Sequence, residues 1–256
     1  MGAPFEQLLL KDLARPDLPA YKLYIMANAF YLSAAERELV DRVVKRDGAT
    51  VLWLYAPGYL ADTGASLSHM AALTGIRFGI RDERSELDVQ ITDFDHPITR
   101  GLAPGYAYGT STDLDQYLQP PRIEYLPEMA VRPVFCADDP EVKVLGTLAG
   151  TSEAGLVVKE LEGWRSVYSA APLLPWELMR NLALDAGVHI YDDVGDMIWG
   201  NDAFLAIYAQ HDGARTIRFP RPVTVSDAYE GREFGAGVTE LTLEMRRWET
   251  KLLVLS

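Results

Sequence analysis

Cysteine is nearly absent: Cys136 stands alone among 256 residues, so no internal disulfide can form. Its neighbours Val134, Phe135 and Ala137 suggest a thiol buried in a strand rather than a reactive one. Long hydrophobic runs are also missing. The longest, such as Val51–Ala56, are about six residues, against the roughly 20 that a membrane-spanning helix needs. Basic charge is scarce, with 24 Lys and Arg against 37 Asp and Glu and a formal net charge of -13, so a phosphate backbone would be repelled. Only four histidines occur (His69, His96, His189, His211), with neither HExxH nor paired metal-ligand spacing, and no metal is expected. The start lacks a basic segment with an apolar core and a cleavage site, and also a myristoylation signal, which gives a cytoplasmic expectation. Neither GxGxxG spacing nor a P-loop lysine follows the first crossover at Ala56-Pro-Gly-Tyr59, and no Ser/Thr/Gly cradle for a flavin follows a strand. No cofactor is expected.

The residues present are those of a globular chain, 48% hydrophobic and 24% charged. Tyr21–Ala27 reads as a strand. Ser33 and Glu36 then form a capping box that starts a helix, with Ala35, Leu39, Val43 and Val44 as its apolar stripe and Gly48 as its stop. Thr50–Ala56 is apolar on both faces, as a central parallel strand would be, and completes a right-handed crossover. Leu67, Met70, Ala71 and Leu73 mark a second helix ended by Gly75, before a strand over Ile76–Ile80. Arg81–Met129 is rich in Asp, Gly, Pro and Tyr and reads as long connections. Extended segments return over Val131–Ala137, Val142–Leu148, Gly155–Glu160 and Ser166–Ala170, then a helix over Pro175–Asp185 that closes at Gly187. Residues 1–194 are therefore expected to form an α/β domain.

From Gly195 the pattern becomes short alternating strands, and 195–256 is expected to be a small antiparallel β-domain. Asp212-Gly213 predicts a hairpin between Ala203–Gln210 and Arg215–Phe219. Leu241, Leu243 and Met245 alternate with polar residues, and Glu249–Leu255 supplies a last strand.

Four stretches in order, Asp17–Asn28, the helix from Ser33, Gly48–Gly58 and Asp95–Leu102, resemble the beta-galactosidase trimerisation domain. The resemblance extends through Ala186–Tyr191, and Asp196–Asp202 onward looks like the small β-domain that follows in such glycoside hydrolases. It implies the flavodoxin-like fold of class I glutamine amidotransferases: a mostly parallel sheet with helices on both faces. Such a fold opens with a strand that Pro4–Leu13, read as part of a helix, does not supply, so an unpaired or borrowed sheet edge is expected.

The resemblance also implies a pseudo-active site. An amidotransferase nucleophile would occupy the sharp turn after Thr50–Ala56, which here reads Tyr55-Ala-Pro-Gly58, and its general base would stand where Ala170 and Ala171 do. Glu177, near the place of a third, orienting carboxylate, reads as a residue serving the first turn of its helix. Other carboxylates and His96 read first as turn chemistry: Asp113 and Asp115 as loop hydrogen-bonders rather than a glycosidase pair, and His96 before Pro97 likewise. Tyr106, Tyr108, Tyr117, Tyr125, Trp164, Trp176 and Trp199 are either core residues or contacts to a partner or a sugar. The expectation is a non-catalytic structural and oligomerisation module. Its partners are other copies, as a trimer, and the catalytic domain of a parent enzyme, with carbohydrate a further ligand and nucleic acid and membrane excluded. The alternatives are an amidotransferase-like hydrolase with relocated groups and a carbohydrate-binding module.

Overall fold

The structure, a computed structural model, describes residues 1–46, 48–110 and 130–256. Contacts divide it into two compact units, Leu8–Pro175 and a second made of Met1–Gln7 with Trp176–Ser256. Residues 176–194 thus fall with the β tail in this division.

The larger unit is built on a mixed sheet. β1 (Leu23–Met26) leads through α1 (Ala34–Leu39) to β2 (Ala49–Leu54), and the two strands pair in parallel. The capping box forms as the sequence predicts: Ser33 Oγ accepts from the Glu36 amide, and the Glu36 carboxylate accepts from the Ser33 amide at 2.8 Å. The apolar stripe differs. The helix continues as a π turn over Val40–Val44, and this wider turn buries Val40 and Val44 while leaving Ala35 exposed and Leu39 and Val43 only half-buried.

Two short strands, β3 (Leu60–Ala61) and β4 (Gly64–Ala65), make a ribbon before α2 (Leu67–Thr74), which Ser66 caps and Gly75 ends in the left-handed conformation. Then come β5 (Phe78–Arg81), β6 (Asp88–Ile91), β7 (Ala107–Gly109), β8 (Val134–Ala137), β9 (Lys143–Leu148), β10 (Ala154–Leu161) and β11 (Trp164–Ser169). The sheet runs β1-β2-β11-β10-β9-β6-β7, and β8 joins β5 to β10. Only β1, β2 and β11 are parallel; every other pairing in this sheet is antiparallel. A mostly parallel sheet is therefore not what forms. The connections between β8, β9, β10 and β11 are too short for the crossover of a dozen or more residues that parallel pairing requires, so β9–β10 and β10–β11 form hairpins, while β8 pairs antiparallel with β5 and β10. β6 and β7 lie within the stretch read as connections, and β1 pairs on one side only among the described residues.

In the smaller unit α3 (Trp176–Asp185) precedes β12 (Met197–Gly200), β13 (Phe204–Tyr208), β14 (Gly213–Asp227), β15 (Glu233–Met245) and β16 (Thr250–Leu255). The strand order is β12-β13-β16-β14-β15. The expected hairpin at Asp212-Gly213 does not form, because β16 lies between β13 and β14. Asp212 instead accepts from the Arg247 amide at 2.8 Å, and the tight hairpins are β12–β13 and β14–β15. Leu205, Ile207, Ile217, Val225 and Leu253, all fully buried, form this unit's core. Among the described residues no helix is long and apolar enough to cross a membrane.

Candidate functional site

Open sheets with parallel strands bind ligands at the carboxyl ends of those strands. Here that place is the end of β1, β2 and β11, and the ends of β2 and β11 are each built differently from a working nucleophile turn. Past β2, Tyr55 adopts φ +60°, a left-handed conformation that a bulky side chain rarely takes. The sharp turn expected at Ala56-Pro57 is thus centred one residue earlier. The conformation is held from both sides: the Tyr55 amide donates to Ser169 O at 2.9 Å, and the Tyr168 hydroxyl donates to Tyr55 O at 2.8 Å.

The Tyr55 side chain closes the crevice. Its hydroxyl donates to Pro133 O at 2.7 Å, and its ring packs edge-on against Phe30 and Phe135 at 5.7 and 5.4 Å between centroids. Tyr59 adds a further edge contact to Phe135 at 4.9 Å. Burial raises the Tyr55 phenol above its ordinary value, so the group is a neutral donor bound to a carbonyl, with no base beside it to make it a nucleophile.

The backbone amides that follow Ala56 are not free to cradle an oxyanion or a phosphate. The amides of Gly58, Tyr59 and Leu60 donate to Ala29, Ala56 and Phe30 carbonyls, and Pro57 has no N–H. No helix starts at the turn, since the β3–β4 ribbon separates it from α2. Arg37 fixes the loop instead, donating to the carbonyls of Gly58 at 2.6 Å and His69 at 3.0 Å; burial lowers its pKa without removing its charge.

At the end of β11, Ala170 and Ala171 are fully buried, and the Ala170 amide donates to Gly155 O at 2.8 Å. The one hydroxyl there, Ser169, donates to Ala171 O at 2.8 Å, so Tyr108 must be the donor in its 3.0 Å contact with Ser169 Oγ. Tyr108 is 1% exposed and its phenol is pushed up by burial, which makes it a core residue of this unit rather than a surface contact.

The remaining candidates are scattered. Tyr106 is half-buried and Trp199 is 46% exposed in the other unit. Tyr117, Tyr125, Asp113 and Asp115 lie outside the described residues. His96 Nδ1 accepts from the Ile98 amide at 3.2 Å, which is turn chemistry. Glu177 is in the first turn of α3 in the smaller unit. Trp164 packs edge-on to Trp53 beneath Lys45, and Trp176 lies against Arg180. Cys136 is buried, and burial pushes its thiol up, away from the reactive thiolate. Among the described residues no three His, Cys, Asp or Glu side chains are grouped to hold a metal. What sequence reasoning missed is Tyr55 itself, whose only signal is a bulky residue ahead of Ala-Pro-Gly at the end of a buried strand.

No protein-family model matches the chain, and no curated protein matches it. Solved structures do. A beta-galactosidase from Bacillus circulans sp. alkalophilus matches with a TM-score of 0.61 and 14% identity over 92% of this chain and 33% of that one. A catalytic mutant of a GH42 beta-galactosidase from G. stearothermophilus matches at 0.55 and 12%, over 92% and 32%. A polyextremophilic beta-galactosidase from the Antarctic haloarchaeon Halorubrum lacusprofundi matches at 0.51 and 9%, over 94% and 32%. The likeness is one of fold, and the chain spans about one third of the length of these enzymes.

Proposed function

We propose that this chain is a non-catalytic structural module of a beta-galactosidase-like glycoside hydrolase: a trimerisation-type α/β domain with a mixed sheet over 1–194 and a small β-domain over 195–256. The observation that carries the reading is the turn after β2. Its left-handed residue is a tyrosine whose ring and hydroxyl are spent on Phe30, Phe135 and Pro133, so the position that would hold a nucleophile is packed shut. The likeness of fold to part of several beta-galactosidases supports the parentage.

In this reading the module's partners are further copies of itself, as a trimer, and the catalytic domain of the parent. The aromatic-rich connections beginning at Gly105 and Tyr106 are the proposed face for the trimer, since tyrosines cover area at low entropic cost. Trp199 is kept as a sugar or partner contact.

The purified chain is expected to release no product from chromogenic aryl beta-galactosides or from glutamine above a buffer control. Nucleophile and base together account for most of the rate enhancement in acyl transfer, and neither is at the turn. Turnover that follows the protein through a final column and disappears in His96→Ala would overturn the reading.

A further inference from the structure

The five-stranded sheet of the smaller unit has two unlike outer surfaces. Ile198, Leu205, Ile207, Leu253 and Leu255 point into the core, so their neighbours point outward. On β14 and β15 the outward positions are what solvent demands: Thr216 faces Thr242, and Arg218 faces Glu240 with an ion pair at 3.4 Å. On β12, β13 and β16 they are apolar. Met197, Trp199 and Phe204 are each about half exposed, at 45%, 46% and 45%.

The register makes these one surface. Met197 lies opposite Tyr208, Trp199 opposite Ala206, and Ala206 in turn opposite Leu252, while Phe204 lies opposite Val254. Ala206 is therefore a shallow floor between Trp199 on one side and Leu252 on the other, with Phe204 and Tyr208 two residues away along its own strand. No outward position of the three strands carries a charge, whereas the whole chain carries -13.

We infer that this face of β12, β13 and β16 is a self-association surface that packs against the same face of a second copy of this chain. Charge marks the place. Two copies each at -13 repel over most of their surfaces, and close approach is least opposed where neither presents a charge. Shape agrees. A large exposed Trp199 directly beside a small Ala206 is self-complementary, because a two-fold axis between them sets each indole on the alanine floor of the other copy. Two sheets meeting this way form a face-to-face packing about 10 Å deep.

Size agrees as well. Taking about 200 Å² for each large side chain, the exposed parts of Met197, Trp199 and Phe204 alone offer roughly 300 Å². That is the scale of an interface's dry centre, which a polar rim extends to the roughly 800 Å² per partner of a stable complex. Its residues are other than those proposed above for a trimer, so the variants below test it alone.

The test is sedimentation of the 256-residue chain from about 1 to 100 µM, a range that reads a Kd near 10 µM. Through this face alone the wild type is expected to reach twice the 28.5 kDa of one chain, and association through the proposed trimer face as well would carry it further. Ala206→Glu, which sets a charge on the floor, and Trp199→Gln, which removes the knob without adding a charge, should each weaken association at least about tenfold while keeping the far-UV circular dichroism. If Ala206→Glu misfolds, Trp199→Gln alone decides. A wild type that stays monomeric overturns the inference, and so does an assembly, trimeric or otherwise, that the folded variants retain. The last outcome would leave the proposed trimer intact.

Discussion

Asp196→Ala is expected to cost roughly 3–5 kcal/mol, enough to unfold the smaller unit at moderate temperature. Asp196 and Arg215 are both buried, with side chains 0% and 1% exposed, and Arg215 Nε donates to Asp196 Oδ2 at 2.6 Å. Arg215 also donates to the carbonyls of Gly213, His211 at 2.7 Å and Met245 at 3.2 Å, while Asp196 Oδ1 accepts from the Gln210 amide at 2.8 Å. Removing the carboxylate leaves a guanidinium in the interior without a counter-charge and frees the Gln210 amide at the same time. Removing both charges together, as Asp196→Ala with Arg215→Met, should recover much of the loss, because the cost lies in the uncompensated charge. Denaturant unfolding followed by circular dichroism measures both. A loss below about 1 kcal/mol for the single variant would mean that the interior admits water to the arginine.

The second large effect lies in the other unit. Asp139, with a side chain 2% exposed, accepts from Lys159 Nζ at 2.8 Å and from the amides of Arg77 and Glu141 at 3.1 Å each. It ties the residue before β5, the β8–β9 connection and β10 together. Burial pushes its pKa up, but the hydrogen bonds from Lys159, Glu141 and Arg77 outweigh this, so the carboxyl titrates below its ordinary value. A carboxyl depressed by folding contributes stability that is present above the unfolded value of about 3.9 and lost as pH falls through the folded value. Lys159 is shifted the other way: burial lowers its pKa, but its bonds to Asp139 and Glu141 raise it further, so its contribution is lost only as pH rises past about 10.5. Asp139→Ala should therefore cost about 3 kcal/mol at pH 7. Its stability should also fall less steeply than that of the wild type as pH drops below about 4, by thermal melts across pH. Parallel pH profiles for the two proteins would show that Asp139 is not the titrating group.

Local rules made part of this legible. The Ser33–Glu36 box, the Ser66 cap seen in the structure and the Gly75 stop are decided within a few residues, and the helices start or end there. The outward position of Trp199 follows from its alternation with the buried Ile198. Strand direction and partnering are not local. Val131–Ala170 contains four extended segments with no room for a helix between them, and reading those connection lengths would have given hairpins instead of a parallel sheet. Asp212-Gly213 has the residues of a hairpin turn, but β16, some 40 residues on, inserts between the strands it joins. At the candidate site the sequence located the turn after β2 but not its pivot. A left-handed tyrosine is locally unfavourable and persists only because Tyr168, Ser169 and Pro133, all distant in sequence, hold it. Tyr108 was indistinguishable from its neighbouring tyrosines for the same reason, since the partner of its hydroxyl, Ser169, is 61 residues away in sequence.

In the proposed function the turn after β2 is shut and activates no nucleophile, and the pH dependence of thiol alkylation in Tyr55→Cys reads this directly. The buried Cys136 of the wild type supplies the background rate. A cysteine at a working nucleophile turn titrates well below the free thiol, through a helix N-terminus or a nearby base. Here Pro57 supplies no amide, no helix begins at the turn, and Ala170 and Ala171 supply no base. The alkylation midpoint is expected at or above about 8.5, the value of an unactivated thiol. A midpoint below about 7 would contradict it.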